Sequence, residues 1–342
     1  MRIWKIALPC IAVALVVSGL HIRFNTNTFG ADSFCGGSLS VDSAESAFAH
    51  LGRLSEEEGP RGSGSDRLEF DCIVESSSLL PSRDEQLHVQ ATSEEADFIF
   101  TEGRWPRPEE MSFFSRGATG AVSGDHGWVM LPEACWNGEP RIVEGRMPVG
   151  AENPLVLSRI LVEVANRSAQ AAGCEQPNQS APTTLTPVPQ ERETDKQRQC
   201  GVPGFPYRGP DADVFEVAHD PGADGDTWAC TVRLKDGSPA STERSGYLTY
   251  AVTQNPLLVS GITQSEGYSA RSPIPGWPVA GTDSRHVVAT CDGTETYFAM
   301  ELGGQYLKAL ESSGVVGDDV LFRDFVTSVG NQFDCVGVVP AG

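Results

Sequence analysis

Phe70-Asp71-Cys72-Ile73-Val74 and Trp228-Ala229-Cys230-Thr231-Val232 are two runs of one strand-like pattern, and each carries the second cysteine of a set of four. The sets are Cys35, Cys72, Cys135 and Cys174, then Cys200, Cys230, Cys291 and Cys335, with nearly the same internal spacing. Cys35 and Cys200 are each followed by glycine. The third members follow the Gly-Trp pairs Gly127-Trp128 and Gly276-Trp277, and the fourth members each close a helical stretch. The chain thus reads as a duplication of one α+β module, over 35–174 and 200–342. Each module is expected to be an antiparallel sheet with one main amphipathic helix and two disulfides.

An even set of eight cysteines suits a disulfide framework, whereas a structural zinc site would bring two of them together as Cys-x2-4-Cys. Three pairings stay open within each module. The clearest helix opens at Asn153-Pro154, a cap residue before a first-turn proline, and stops at Gly173. Leu157, Ile160, Leu161, Val164 and Ser168 mark its inner face, and Phe322, Phe325, Val326, Val329 and Phe333 repeat the rhythm before Cys335. Asp42 and Glu45, spaced as a capping box, predict a short helix within Ser40 to Leu51. Strands are expected over Leu68 to Val74, Gln86 to Ala91 and Phe98 to Thr101, while Trp128 to Leu131 and Pro140 to Val143 frame Cys135. In the second half they are expected over Asp213 to Val217, Trp228 to Leu234, Tyr247 to Val252, Val287 to Cys291 and Thr296 to Met300. Between the modules, 175–199 carries Pro, Thr, Gln and mixed charge, and reads as an extended polar linker that buries nothing.

With 342 residues, 39% hydrophobic and 21% charged, the chain is long enough for two cores. A net charge of −21 produces a negative field that repels phosphate backbones, so no nucleic-acid partner is expected. Arg2 and Lys5 precede an apolar run, Ile6 to Leu20, which marks 1–22 as a membrane segment followed by a polar stalk, 23–34. The positive-inside rule then sends the rest of the chain outside. The run is short for a spanning helix and long for a signal core. An uncleaved single-pass anchor is the favoured reading and a cleaved signal with a secreted product the alternative.

The order Cys-Gly, strand with Cys-x-Val, Gly127-Trp128-Val129-Met130-Leu131-Pro132-Glu133-Ala134-Cys135 and the closing helix Leu155 to Cys174 resembles a group of actinobacterial proteins. These are uncharacterised secreted or single-pass membrane-anchored proteins with a duplicated four-cysteine extracytoplasmic module. The likeness is weaker at Cys291-Asp292-Gly293 and Phe322 to Cys335. It implies location and domain type, and it brings no catalytic residue across.

No catalytic motif stands out. Gly-x-Ser-x-Gly is absent, and Gly62-Ser63-Gly64-Ser65 lies in a charged loop without strand-turn-helix context. His126, between Asp125 and Gly127-Trp128, is the histidine best placed for a binding site, against its reading as a plain turn residue. Asp220, Asp224 and Asp226 make a partial calcium loop that lacks the late bidentate Glu. Trp105, flanked by Pro106 and Pro108, is the loop tryptophan suited to a partner, whereas Trp128, Trp228 and Trp277 read as core anchors. No cofactor is expected. The expectation for function is a non-catalytic extracytoplasmic binding or cell-envelope-associated protein, its partner an envelope component or a membrane protein. The alternatives are a secreted hydrolase using His126 or His286, and a structural partner of another membrane protein.

Overall fold

A computed structural model describes residues 15–16, 18–19, 26–27, 30–49, 52–57, 68–77, 85–95, 97, 100, 107–174, 178–220, 225–235, 246–310 and 315–340. The chain is α+β with antiparallel sheets, few helices and four disulfides. In order come β1 (Ser33–Phe34), β2 (Leu39–Ser40), α1 (Val41–Ser46), β3 (Arg53–Glu57), β4 (Phe70–Ser77), β5 (Glu85–Ser93), β6 (Ser112–Phe114), β7 (Gly120–Val122), β8 (His126–Met130), β9 (Arg141–Arg146) and α2 (Pro154–Ala172). Then follow β10 (Arg192–Glu193), β11 (Val214–Ala218), β12 (Thr227–Leu234), β13 (Leu248–Thr253), α3 (Pro256–Gln264), β14 (Val279–Asp283), β15 (His286–Cys291), β16 (Thr294–Leu302), α4 (Gly304–Leu310) and α5 (Asp318–Gly330).

Two compact units emerge, and they are not contiguous in sequence. Unit 1 comprises 1–93, 124–135 and 141–184; unit 2 comprises 94–123, 136–140 and 185–342. This grouping by contact cuts across the sequence expectation of modules over 35–174 and 200–342. Residues 94–123 and 136–140 group with unit 2, where the Met111 carbonyl meets His219 and the Phe100 ring meets Tyr297.

In unit 1 the strands run in the order β3-β4-β5-β9-β8. α2 forms where its signals lie: the Asn153 side chain accepts from the Val156 N–H at 3.2 Å, and Pro154 occupies the first turn. Its inner face buries Leu157, Ile160, Leu161 and Val164, each worth roughly 1.5–3 kcal/mol of transfer free energy. Gly145 on β9 lets the helix approach, since a Cβ there would lie 2.7 Å from Leu161 Cδ2. Gly173, at φ 78°, ends the helix, and the Cys174 N–H reaches back to the Ala169 carbonyl at 3.0 Å in a Schellman closure. Cys174 is then bridged to Cys135. Cys35, between β1 and β2, is bridged to Cys72 on β4.

In unit 2 the order is β10-β11-β12-β13-β16-β15-β14. Strand alternation puts Cys230, Tyr250 and Phe298 on one face, where Phe325 of α5 is the hub. Its ring centroid lies 4.9 Å from Tyr250, 5.8 Å from Phe298, 5.9 Å from Phe322 and 6.3 Å from Phe205. Such tilted and edge-on pairs each add about 0.5–1.5 kcal/mol beyond burial. After α5 a 3-10 turn, Asn331–Phe333, closes on Asp334 at φ 55°, where the Cys335 N–H bonds the Gly330 carbonyl at 2.9 Å, and Cys335 is bridged to Cys291. Cys200 is bridged to Cys230. The pairing is first with second and third with fourth in both sets.

Several expectations change. The helix within Ser40 to Leu51 stops at Ser46, and its cap is Ser40, whose hydroxyl accepts from the Ser43 N–H; no Asp42 capping box forms. The stretch 175–199 is not a free linker. Residues 178–184 belong to unit 1, where Gln179 exchanges two hydrogen bonds with Asn166 and donates to the Met130 carbonyl. Farther on, Arg192–Glu193 forms the edge strand β10 beside β11. Main-chain pairing thus orders a segment too polar to order itself by burial. The Gly-Trp pairs are not equivalent: Trp128 lies in β8, whereas Trp277 precedes the edge strand β14 instead of entering the strand of Cys291. Phe100 forms a turn, its N–H bonded to the Asp97 carbonyl at 2.7 Å, and the rest of Phe98 to Thr101 lies outside the described residues. The membrane segment 1–22 also lies outside them, apart from Leu15, Val16, Ser18 and Gly19. Among the described residues no helix is long and apolar enough to cross a membrane. Four disulfides fit an extracytoplasmic or secreted location.

Candidate functional site

The four described histidines are the groups able to act as a base or a soft ligand, and each is held by specific partners. His126 projects from the start of β8 with its side chain 5% exposed, and its Nε2 lies 2.9 Å from Glu144 Oε1 on β9. Glu144 Oε2 accepts a short hydrogen bond from Gln90 of β5. Cross-strand register explains the cluster: Gln90, Glu144 and Trp128 stand opposite one another on neighbouring strands and share a face with His126. The carboxylate that meets His126 is therefore Glu144. Asp125 is exposed just before the strand, where its carbonyl accepts from the Met147 N–H at 2.7 Å. His88, lower on the same face, pairs with Asp71.

In unit 2, His286 at the start of β15 lies between two carboxylates, with Nδ1 2.9 Å from Asp283 and Nε2 2.9 Å from Glu301. Burial alone would depress the imidazole, but the hydrogen bonds and charges of Asp283 and Glu301 outweigh it and push it up to about 9. Burial also opposes ionisation of Asp283, yet the bonds from His286 and the Arg285 N–H bring its carboxyl down to about 2. Asp97, in the same neighbourhood, is raised by burial against the pull of His286. An imidazolium clamped by two carboxylates is a poor general base at neutral pH.

His219, just past β11, has both ring nitrogens committed to main chain. Nε2 donates to the Met111 carbonyl at 2.9 Å, and Nδ1 accepts from the Ala229 N–H at 3.2 Å. Burial lowers its pKa against those two bonds. It is thus a neutral imidazole used as a structural link.

Of the calcium candidates, Asp226 is spent on local structure. Asp226 Oδ2 accepts from the Asn255 side chain at 3.0 Å, and Asn255 in turn caps α3 through bonds from the Leu257 and Leu258 N–H groups. Asp220 is exposed, and Asp224 lies outside the described residues, as does Trp105. Among the described residues no group of three or more His, Cys, Asp and Glu side chains is arranged to hold a metal ion. Trp128, Trp228 and Trp277 are buried, in keeping with their reading as core anchors. Cys35, Cys72, Cys135, Cys174, Cys200, Cys230, Cys291 and Cys335 are all consumed in disulfides, which leaves no thiol nucleophile among the described residues.

Sequence reasoning missed the carboxylates Glu144, Asp283 and Glu301. Strand register supplies them, and a chain with 46 acidic residues gives no local mark of which will be drawn inward. No protein-family model, curated protein or solved structure matches the chain.

Proposed function

We propose that the chain is a non-catalytic, extracytoplasmic binding or cell-envelope-associated protein, held to the membrane by its N-terminal segment and built from two tandem copies of one disulfide-stapled α+β module. The observation that carries the non-catalytic reading is the state of the histidines. His126 and His88 face carboxylates, His286 is clamped by two, and His219 is bonded to main chain at both nitrogens, so these hydrogen bonds and ion pairs engage the imidazoles with carboxylates and backbone groups.

The duplication rests on shared pairings and register. Both cysteine sets join first to second and third to fourth. In both, a glutamate on the preceding strand stands opposite the residue two past the bonded cysteine, Glu56 opposite Val74 and Glu216 opposite Val232. Both also end with a left-handed residue after which the last cysteine's N–H bonds the carbonyl five residues back. Two tethered copies favour binding through effective concentration.

The test is the thermal midpoint of the oxidised full-length chain in detergent against calcium, envelope glycans, muropeptides and small metabolites. A ligand at 100 times its dissociation constant stabilises by about 2.7 kcal/mol, which is visible as a shift. Turnover of ester, peptide or glycoside substrates that disappears in His126→Ala or His286→Ala would overturn the reading in favour of a hydrolase.

A further inference from the structure

The segment 107–123 precedes every strand of the unit 2 order in the chain, yet it belongs to that unit. Phe325 and α5 cover the face of Cys230 and Tyr250, so alternation turns Thr231 and Thr249, joined through their hydroxyls at 2.7 Å, to the other face. The segment meets the unit on that side through Glu109, whose carboxyl interacts with the Thr231 hydroxyl. It is pinned at three further points. The Met111 carbonyl accepts from His219 Nε2, the Ser112 hydroxyl donates to the Thr186 carbonyl at 2.6 Å, and Thr119 meets the Asn255 side chain at 3.3 Å.

Glu109 is the anomaly among these contacts. It is 1% exposed, and its Oε2 makes no hydrogen bond of ordinary geometry. The nearest cation is Arg107, whose Nη1 lies 3.6 Å from Oε1 and whose side chain is partly open to solvent. A buried carboxylate held by one half-open cation at 3.6 Å, one hydroxyl and its own main chain is incompletely compensated, whereas a carboxylic acid fits the same socket at little cost. We propose that Arg107–Met111 is a proton-operated strap, latched onto the sheet of unit 2 while the Glu109 carboxyl is protonated and released when it ionises.

The direction follows from burial. Desolvation, opposed by Thr231, the local main chain and Arg107, pushes the Glu109 carboxyl up to about 7. The charged groups that face it are few. On its own turn these are Arg107 and Glu110; on β12, alternation sets Arg233, which is paired with Glu191, on the face of Thr231; and beside them on the β11 side stand His219, neutral and bonded to Met111, and Glu216, which is turned to the opposite face toward the Cys200 N–H. An acid whose folded pKa is raised stabilises the closed form fully below its free value near 4.5. That advantage is lost as the pH climbs to about 7.

Hydrogen exchange of the full chain, corrected for the intrinsic chemical rate, tests this. Between about pH 5 and about pH 8, protection of the strap amides, including the Glu110 and Met111 N–H groups, should fall roughly 70-fold, while β13 and β16 stay unchanged. Glu109→Gln should remove the pH dependence. Arg107→Ala, which leaves the carboxyl in place, should move the end of the fall to higher pH. Strap protection that is flat in the unmodified chain, or a fall that persists in Glu109→Gln, overturns the proposal.

Discussion

Cys35 and Cys200 adopt the same unusual backbone, at φ 53° and 60°, and each is followed by a glycine that also has positive φ. In both, the cysteine N–H donates to a glutamate on the strand beside its partner's strand, Cys35 to Glu56 at 2.9 Å and Cys200 to Glu216 at 2.7 Å. Consecutive main-chain N–H groups in such a turn form a small concavity suited to a carboxylate, which offsets the cost of about 1–2 kcal/mol for a left-handed cysteine. The surroundings differ. Glu56 is exposed, whereas Glu216 is 2% exposed and is also held by Arg192 Nε at 2.9 Å. Arg192 packs close over Gly201, where a Cβ would lie 2.9 Å from its guanidinium. One geometry is thus built twice, once in water and once in a dry, charge-paired setting. The contrast separates what the turn itself contributes from what burial adds.

The largest effect should come from the disulfides that close these turns. Replacing both cysteines of either pair by alanine is expected to cost about 2–5 kcal/mol. Loop entropy alone, for sequence separations of 37 and 30, makes the two losses differ by only about 0.2 kcal/mol. Denaturant midpoints of Cys35→Ala/Cys72→Ala and Cys200→Ala/Cys230→Ala measure this directly. A gap well beyond that figure would mean that packing around Cys200, which is fully buried, outweighs the cross-link itself.

Buried charge marks unit 2 again at His286. Its folded pKa is raised from 6.5 to about 9, so its contribution is complete below about 6.5 and fades as the pH rises through 9. The loss amounts to up to about 3 kcal/mol. Stability measured from neutral to alkaline pH should fall in that window, and His286→Gln should flatten it. A slope that survives the substitution would move the effect to another group.

The glutamates themselves come next. Glu216→Ala orphans the Cys200 N–H in a dry site and strips Arg192 of its partner, an expected cost of about 2 kcal/mol. Glu56→Ala lets water replace the carboxylate and should cost under about 1 kcal/mol. Equal losses would break the contrast, because they would assign the whole value of the bond to the turn geometry and none to burial.

What could be read in the sequence was what is written locally. α2 was legible because Asn153, Pro154, its inner-face periodicity and Gly173 are all within one element. The same Asn-Pro signal at Asn255-Pro256 opens α3, which went unassigned because its short run of Leu257, Leu258 and Val259 lacks a clear helical period. Disulfide formation was legible from cysteine count and spacing, but the pairing was not. The glutamates that cradle Cys35 and Cys200, and the partner of His126, are fixed by register between strands distant in sequence. Glu144, across the register from Trp128, meets His126, whereas chain adjacency marked only Asp125. The membership of 94–123 in unit 2 is likewise a tertiary fact, carried by contacts such as His219 to Met111 that leave no periodic trace.

The smallest effect concerns the helix ends that deliver the last cysteines. Both close with the same N–H bond from the cysteine to the carbonyl five residues back, but the left-handed position is Gly173 in unit 1 and Asp334 in unit 2. Aspartate tolerates that conformation better than most residues, yet it pays a steric penalty there and sets a negative charge at the negative end of the helix dipole. Asp334→Gly removes both terms at the expense of a more flexible unfolded chain, and should raise stability by about 0.5 kcal/mol. The reciprocal Gly173→Asp should lower it by a similar or larger amount. Thermal midpoints of the two variants decide the matter. If Asp334→Gly destabilises, the aspartate is making an interaction that the closure geometry alone does not require, and the two helix ends differ in mechanism as the two glutamates do.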